Sequence, residues 1–196
     1  MLNIASYLIG SIPLSVWLGK LIKGIDVREF GSKGTGATNT FRILGTEIGI
    51  VVLLFDILKG ISLPLILTLL NINLTQEEIL IMGIYSIIGH VYPLFSGLRG
   101  GKGVATTLGV LSFLYPLSAI STFLFFLFIF FRTKYVSFSS ILSSFFVPIS
   151  LLVIYNPKSS LELCFSISIP MIITFTHRKN ITRLIKQQEP KFKLGK

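Results

Sequence analysis

Apolar residues fall into six long blocks, near residues 2 to 21, 48 to 70, 79 to 95, 104 to 131, 136 to 155 and 161 to 176, with short hydrophilic stretches between them. A bilayer core of roughly 30 Å takes about 20 helical residues, and a helix satisfies its own backbone polar groups where no water is present. The pattern therefore predicts an all-α integral membrane protein. The first block, from Asn3 to Leu21, lacks the positive leader and small-residue cleavage site of a signal peptide and is read as a retained span.

The positive charges sort these blocks into crossings. Of the 18 Lys and Arg residues, all but Lys59 and Lys158 lie in four clusters, which are the loop after the first block, Arg99 with Lys102, Arg132 with Lys134, and the tail from Arg178 to Lys196. The segment NINLTQEE, Asn71 to Glu78, carries only negative charge. The positive-inside rule puts that segment outside, the first basic loop inside and the N-terminus outside. A single crossing by residues 104 to 131 would leave Arg132, Lys134 and the basic tail on the outer side. Splitting the stretch at Tyr115-Pro116 into two short spans of about 14 residues, about 21 Å each, returns every cluster to the cytoplasm. The expected topology is seven transmembrane helices, two of them short, with the C-terminus cytoplasmic. No linker or appendage breaks the chain, so a single polytopic domain over 1–196 is expected.

Composition agrees and narrows the chemistry. The 196 residues are 52% hydrophobic and 13% charged, with a mean hydropathy of +0.79 and a net charge of +10. That balance excludes an ordinary soluble domain. Nucleic acid is not implied, because most of the 17 phenylalanines sit in spans rather than in wet grooves where bases stack. The single Cys164 gives no disulfide framework, and the two histidines have no acidic or cysteine partners at ligand spacing, so no metal or cofactor is expected.

Polar chemistry gathers in two islands. GSKGTGATNTFR (Gly31 to Arg42) and GLRGGKG (Gly97 to Gly103) lie in the stretches that hold eleven of the 17 glycines. Glycine lets backbone N–H groups approach a ligand, and Ser32, Thr35, Thr38, Asn39, Arg42 and Lys102 supply donors and charge suited to a phosphate. Neither island has Walker A or GxGxxG spacing, so a nucleotide is not implied. A helix starting at Val104 would point its amides at an anion. Asp56 and Lys59 are three apart within a span and share a helix face, which predicts a structural ion pair bracing the site. His90, before the second island, reads as a hydrogen-bonded strut. His177 opens the basic tail HRKN where the last span reaches the cytoplasm. No Ser-His-acid order can be argued.

The segments YLIGSIPLSVWLGKL, GSKGTGATNTFRILG, LLFDILKG, IGHVYPLFSGLRGGKGVATTLGV, KYVSFSSI and HRKNITRLIKQQE closely resemble, in order and spacing, the bacterial acyl-phosphate:glycerol-3-phosphate acyltransferases. The likeness covers about residues 7 to 189, with GHVYPLFSGLRGGKGVAT its most specific block. It implies a multi-pass enzyme of the bacterial plasma or inner membrane whose site, built from motifs near 31–42, 89–109 and 177–189, faces the cytoplasm. Such an enzyme makes lysophosphatidic acid, the first step of phospholipid synthesis, from acyl phosphate and sn-glycerol 3-phosphate. By resemblance Ser32 and Arg42 are catalytic, as are His177 and Asn180. Gly34, Thr35, Thr38, Asn39 and the loop Gly97, Gly100, Gly101, Lys102 and Gly103 would bind substrate, and Glu189 would be structural. One departure stands out: the family usually has asparagine where this chain has Gly34.

The chemistry expected is direct attack of the 1-hydroxyl on the acyl carbonyl without an acyl-enzyme, because Ser32 has no adjacent general base. Transient contact with the soluble enzyme that makes acyl phosphate is a further expectation. A small transporter for a phosphorylated anion is the competing class, since interrupted helices with glycine-rich ends also build anion sites. A purely structural subunit is the third, and it would tolerate substitution of Ser32 or Lys102.

Overall fold

The computed structural model describes residues 1–157 and 159–192, and it is helical, with no strand among the described residues. Lys158, Lys193 and Lys196, part of the charge pattern above, lie outside the described residues. The helices are α1 (Leu2–Gly10), α2 (Leu14–Lys23), α3 (Ala37–Leu44), α4 (Thr46–Leu69), α5 (Gln76–Val91), α6 (Val104–Leu114), α7 (Pro116–Thr133), α8 (Val136–Ile154), α9 (Ser160–Thr176) and α10 (Arg178–Ile185). Five stretches are long and apolar enough to cross a membrane: Leu2–Lys23, Thr46–Leu69, Gln76–Ser96, Pro116–Thr133 and Val136–Ile154. The pair α9 and α10, bent by 61°, makes a sixth if counted as one span, and α6 is a shorter apolar helix. The described helices overlap the seven predicted crossings, but five of them, or six with the bent pair, qualify as spans by length and composition.

The predicted split of the fourth block is present, but its pieces are unequal, α6 having 11 residues and α7 18. Proline opens α7, where its missing N–H costs nothing, and Tyr115 before it leaves the helical region with ψ 64°. The chain forms two compact units, residues 1–110 and 111–192.

In the first unit helices meet through glycine. A β-carbon on Gly10 would collide with the backbone of Ser86 on α5, and one on Gly89 with the carbonyl of Tyr7 on α1. Gly60 on α4 and Gly109 on α6 repeat the device, each facing the other helix's backbone. Close approach of small residues is how membrane helices gain van der Waals contact when lipid is as apolar as leucine. Val16, Val27 and Leu44 form a buried cluster that ties α2 and α3 to the 3₁₀ turn Val27–Glu29.

In the second unit α8 carries buried Ser137, Ser139, Ser140, Ser143, Ser144 and Ser150, most of them donating to carbonyls three or four residues back. Small hydroxyl residues admit close neighbours while satisfying their own polar atoms. At the α6–α7 break the Tyr115 hydroxyl donates to Glu162 Oε1 at 2.9 Å, and Glu162 also closes the capping box of α9 with Ser159. Tyr155 packs edge-on against Tyr115, 5.2 Å between centroids, and its hydroxyl accepts the N–H of Leu117.

Candidate active site

The first island is a loop wound around one amide. Asn39, 2% exposed, sits in the first turns of α3 with its carboxamide turned back under the preceding loop. Its Oδ1 accepts the backbone N–H of Ser32 at 2.8 Å, and its Nδ2 donates to the carbonyls of Val27 (2.9 Å), Phe30 (3.3 Å) and Gly34 (2.9 Å). Gly31 has φ 58°, and a β-carbon there would strike Asn39 Oδ1, so glycine is required on two counts. The sequence expectation placed Asn39 among the substrate-binding residues, yet its amide is spent on the loop itself. That arrangement leaves Ser32, Thr38 and Arg42 half-buried, with Thr38 and Arg42 one helical turn apart on α3. Thr35 is buried, and its carbonyl accepts the Ser15 hydroxyl at 2.5 Å. Beside Gly34 a β-carbon would meet nothing within 4 Å, so the space that the family's asparagine would enter is open in this chain.

The approach to this loop is fixed by an ion pair that the sequence reading missed. Asp26 caps the turn Val27–Glu29 and binds Arg28 at 2.7 Å, while Arg28 Nη1 also donates to the carbonyl of Ser96 at 2.6 Å. Arg28 thereby joins the two glycine-rich segments. Its hydrogen bond holds the Asp26 carboxyl at about 2, below the ordinary 3.8. The sequence signal was the Asp-x-Arg spacing before the island, submerged in the topology count.

The second island turns where Gly97, Leu98 and Gly103 have positive φ, 63°, 58° and 82°. Gly100 lies against the carbonyls of His90 and Val91, and Gly101 against the imidazole of His90, so a β-carbon on either would collide. The N–H of Gly101 donates to the His90 carbonyl at 3.0 Å. Lys102 is half-buried, and α6 starts two residues later. The expected pair is present on α4: Lys59 Nζ donates to Asp56 Oδ1 at 2.8 Å, both side chains buried, and His90 Nδ1 lies 3.5 Å from the same oxygen. A small cleft brings together Ser15, Thr35, Asp56, Lys59, His90 and Pro93. Ser32, Arg42 and Lys102 are not among its lining residues.

The third motif lies in the second unit. His177, 2% exposed, sits at the bend between α9 and α10, with Nδ1 2.7 Å from the carbonyl of Ile173. A carbonyl only accepts, so Nδ1 carries the proton. Asn180 Nδ2 donates to Glu189 Oε1 at 2.6 Å, Ser137 Oγ to the same oxygen at 2.7 Å, and Arg183 Nε to Oε2 at 2.7 Å. Burial pushes the Glu189 carboxyl up, but these three donors outweigh it and the group lies below its ordinary range. Among the described residues no group of three or more His, Cys, Asp or Glu side chains is placed to hold a metal.

An all-helical membrane protein with two braced, glycine-rich loops carrying half-buried cations is the class that fold and site define. A family model described as Glycerol-3-phosphate acyltransferase matches residues 1–187, and the chain belongs to that family. A glycerol-3-phosphate acyltransferase of Fusobacterium nucleatum is 40% identical over 190 residues, 97% of this chain and 96% of the relative. Its Bacillus subtilis counterpart is 40% identical over 193 residues, 98% and 97% of the two chains. The solved structure of PlsY (YgiH), an integral membrane glycerol 3-phosphate acyltransferase in its glycerol 3-phosphate form, superposes with a TM-score of 0.88 at 39% identity, covering 98% of this chain and 94% of that one. The lysophosphatidic acid form of the same protein gives 0.85 at 38% identity, with the same coverage.

Proposed function

We propose that this chain transfers the acyl group of acyl phosphate to the 1-hydroxyl of sn-glycerol 3-phosphate, forming lysophosphatidic acid at the cytoplasmic face of a bacterial membrane. The observation that carries the reading is the bracing of both loops by buried polar groups, Asn39 under the first and His90 under the second, which leaves Ser32, Arg42 and Lys102 at their surface. Relatives solved with glycerol 3-phosphate and with lysophosphatidic acid support the choice of substrate and product.

Acyl phosphate is already activated, so the protein's task is to bring two anions together and stabilise the departing phosphate. The substrate hydroxyl oxygen attacks the acyl carbonyl, the bond from that carbonyl to the phosphate oxygen breaks, and inorganic phosphate leaves. The hydroxyl proton passes to a substrate phosphate oxygen. Lys102, on a glycine-rich loop ahead of the α6 N-terminus, takes the phosphate of glycerol 3-phosphate. Arg42 offsets the charge of the acyl phosphate, and Ser32 holds a substrate by hydrogen bonding. His177 and Asn180 are carried by family resemblance as residues needed for activity. The basic cytoplasmic loops suit transient contact with the enzyme that supplies acyl phosphate.

Purified protein given acyl phosphate and glycerol 3-phosphate should form lysophosphatidic acid, and acyl-CoA should not substitute. Product from acyl-CoA at a comparable rate, or radiolabelled acyl trapped on Ser32, would overturn this scheme.

A further inference from the structure

Three titratable side chains are buried together beneath the second loop, and the mechanism above does not use them. Asp56, Lys59 and His90 are 3%, 5% and 6% exposed. One carboxylate oxygen, Asp56 Oδ1, serves both neighbours, Lys59 at 2.8 Å and His90 at 3.5 Å. The carboxylate lies on the Nδ1 side of the His90 ring, and Nε2 faces Gly101. The ring then fills the space beside the Gly101 α-carbon, the His90 carbonyl takes the Gly101 N–H, and Gly100 closes over the same carbonyl. The next residue is Lys102.

A buried ion pair is a poor source of stability, since its desolvation cost roughly cancels its attraction, and apolar replacements are often neutral or better. Its worth lies in fixing geometry, and here the geometry it fixes is that of a ring against which a loop is moulded.

We propose that the His90 imidazole, anchored by the Asp56–Lys59 pair, is the positioning group of the Gly100–Gly103 loop and so sets how tightly the enzyme takes the phosphate of glycerol 3-phosphate. The proposal rests on the assignment of Lys102 to that phosphate. His90 acts through the loop and touches no reacting atom.

The test is a double-mutant cycle on full-length protein, measuring kcat and KM for each substrate in wild type, Gly101→Ala, His90→Ala and the double variant. Gly101→Ala alone forces its methyl into the ring and should raise the KM for glycerol 3-phosphate at least about 30-fold, with kcat within about threefold. Once the ring is gone the same methyl has room, so adding it to His90→Ala should cost less than about threefold. Should His90→Ala give no folded protein, His90→Asn serves, because it removes the outer edge of the ring and keeps a donor for Asp56. Independently, the neutral pair Asp56→Leu with Lys59→Met removes the oxygen beside the ring without stranding a charge and should raise the same KM about tenfold. Additive penalties in the cycle, or an unchanged KM in the neutral pair, overturn the proposal. Non-additivity confined to the KM for acyl phosphate keeps the positioning role and instead overturns the assignment of this loop to glycerol 3-phosphate.

Discussion

Asn39 Oδ1 accepts the Ser32 backbone N–H at 2.8 Å across seven residues, so the conformation that displays the serine is set from inside α3. Removing this amide exposes no surface. It leaves the Ser32 N–H and the Gly34 carbonyl without their partner, and it strips one of two donors from the carbonyls of Val27 and Phe30.

Asn39→Ala should therefore lower kcat/KM by at least about 100-fold while the helices persist, each orphaned buried group costing about 1–3 kcal/mol. Asn39→Asp is expected to be nearly as harmful, because it keeps the acceptor for Ser32 but sets a carboxylate against the carbonyls of Val27, Phe30 and Gly34. Steady-state kinetics with circular dichroism as the folding control would decide. An active Asn39→Asp protein would show that the donor half of the amide is dispensable.

Arg42→Ala should cost several kcal/mol of transition-state stabilisation, a fall in kcat/KM of about 10³, if Arg42 faces an anion in a poorly hydrated site. Arg42→Lys should recover only part of this, since an ammonium lacks the planar fork of a guanidinium. Turnover of Arg42→Ala close to wild type would remove the residue from the scheme.

Glu189 gathers Ser137, Asn180 and Arg183, and Glu189→Gln keeps an oxygen for the first two while discarding the charge that Arg183 sees. With Arg183 31% exposed, the loss should be about 1–2 kcal/mol, read as a lower melting temperature. The depressed Glu189 carboxyl adds a pH signature. Its contribution is present above the ordinary carboxylate range and fades as acid protonates the folded protein, so the melting temperatures of wild type and Glu189→Gln should converge at low pH.

Asp26 offers the same logic with a defined window. Its folded value of about 2 lies below the ordinary 3.8, so the Asp26–Arg28 pair contributes fully above about pH 4 and is lost as pH falls toward 2. Subtracting the melting curve of Asp26→Asn from that of wild type should reveal a difference that shrinks over this interval. A constant difference would mean that the carboxylate's charge is not what holds the turn.

The helical architecture was legible because its causes are local. Bilayer thickness sets the block lengths, and the charge pattern by itself calls for the break at Tyr115-Pro116. The pairing of Asp56 with Lys59 followed from three-residue spacing on one helix. His90, 34 positions beyond Asp56, could be read only as a strut without a named partner. The inward turn of the Asn39 amide was not legible, because an amide in a glycine-rich loop satisfies the same composition whether it faces a ligand or the chain itself. The convergence of Ser137 and Asn180 on Glu189 joins segments more than 40 residues apart, and no period in the sequence announces it.

Because Lys59 finds its counter-ion one turn back on its own helix, the two buried charges in the middle of α4 cancel within that one segment. A lone Lys or Asp at the centre of a membrane helix costs about 2.5–3.5 kcal/mol, and the local pair relieves part of that cost. At these two positions the burial of α4 in lipid is thus independent of its tertiary partners, and His90 on α5 meets a carboxylate that already has its counter-ion.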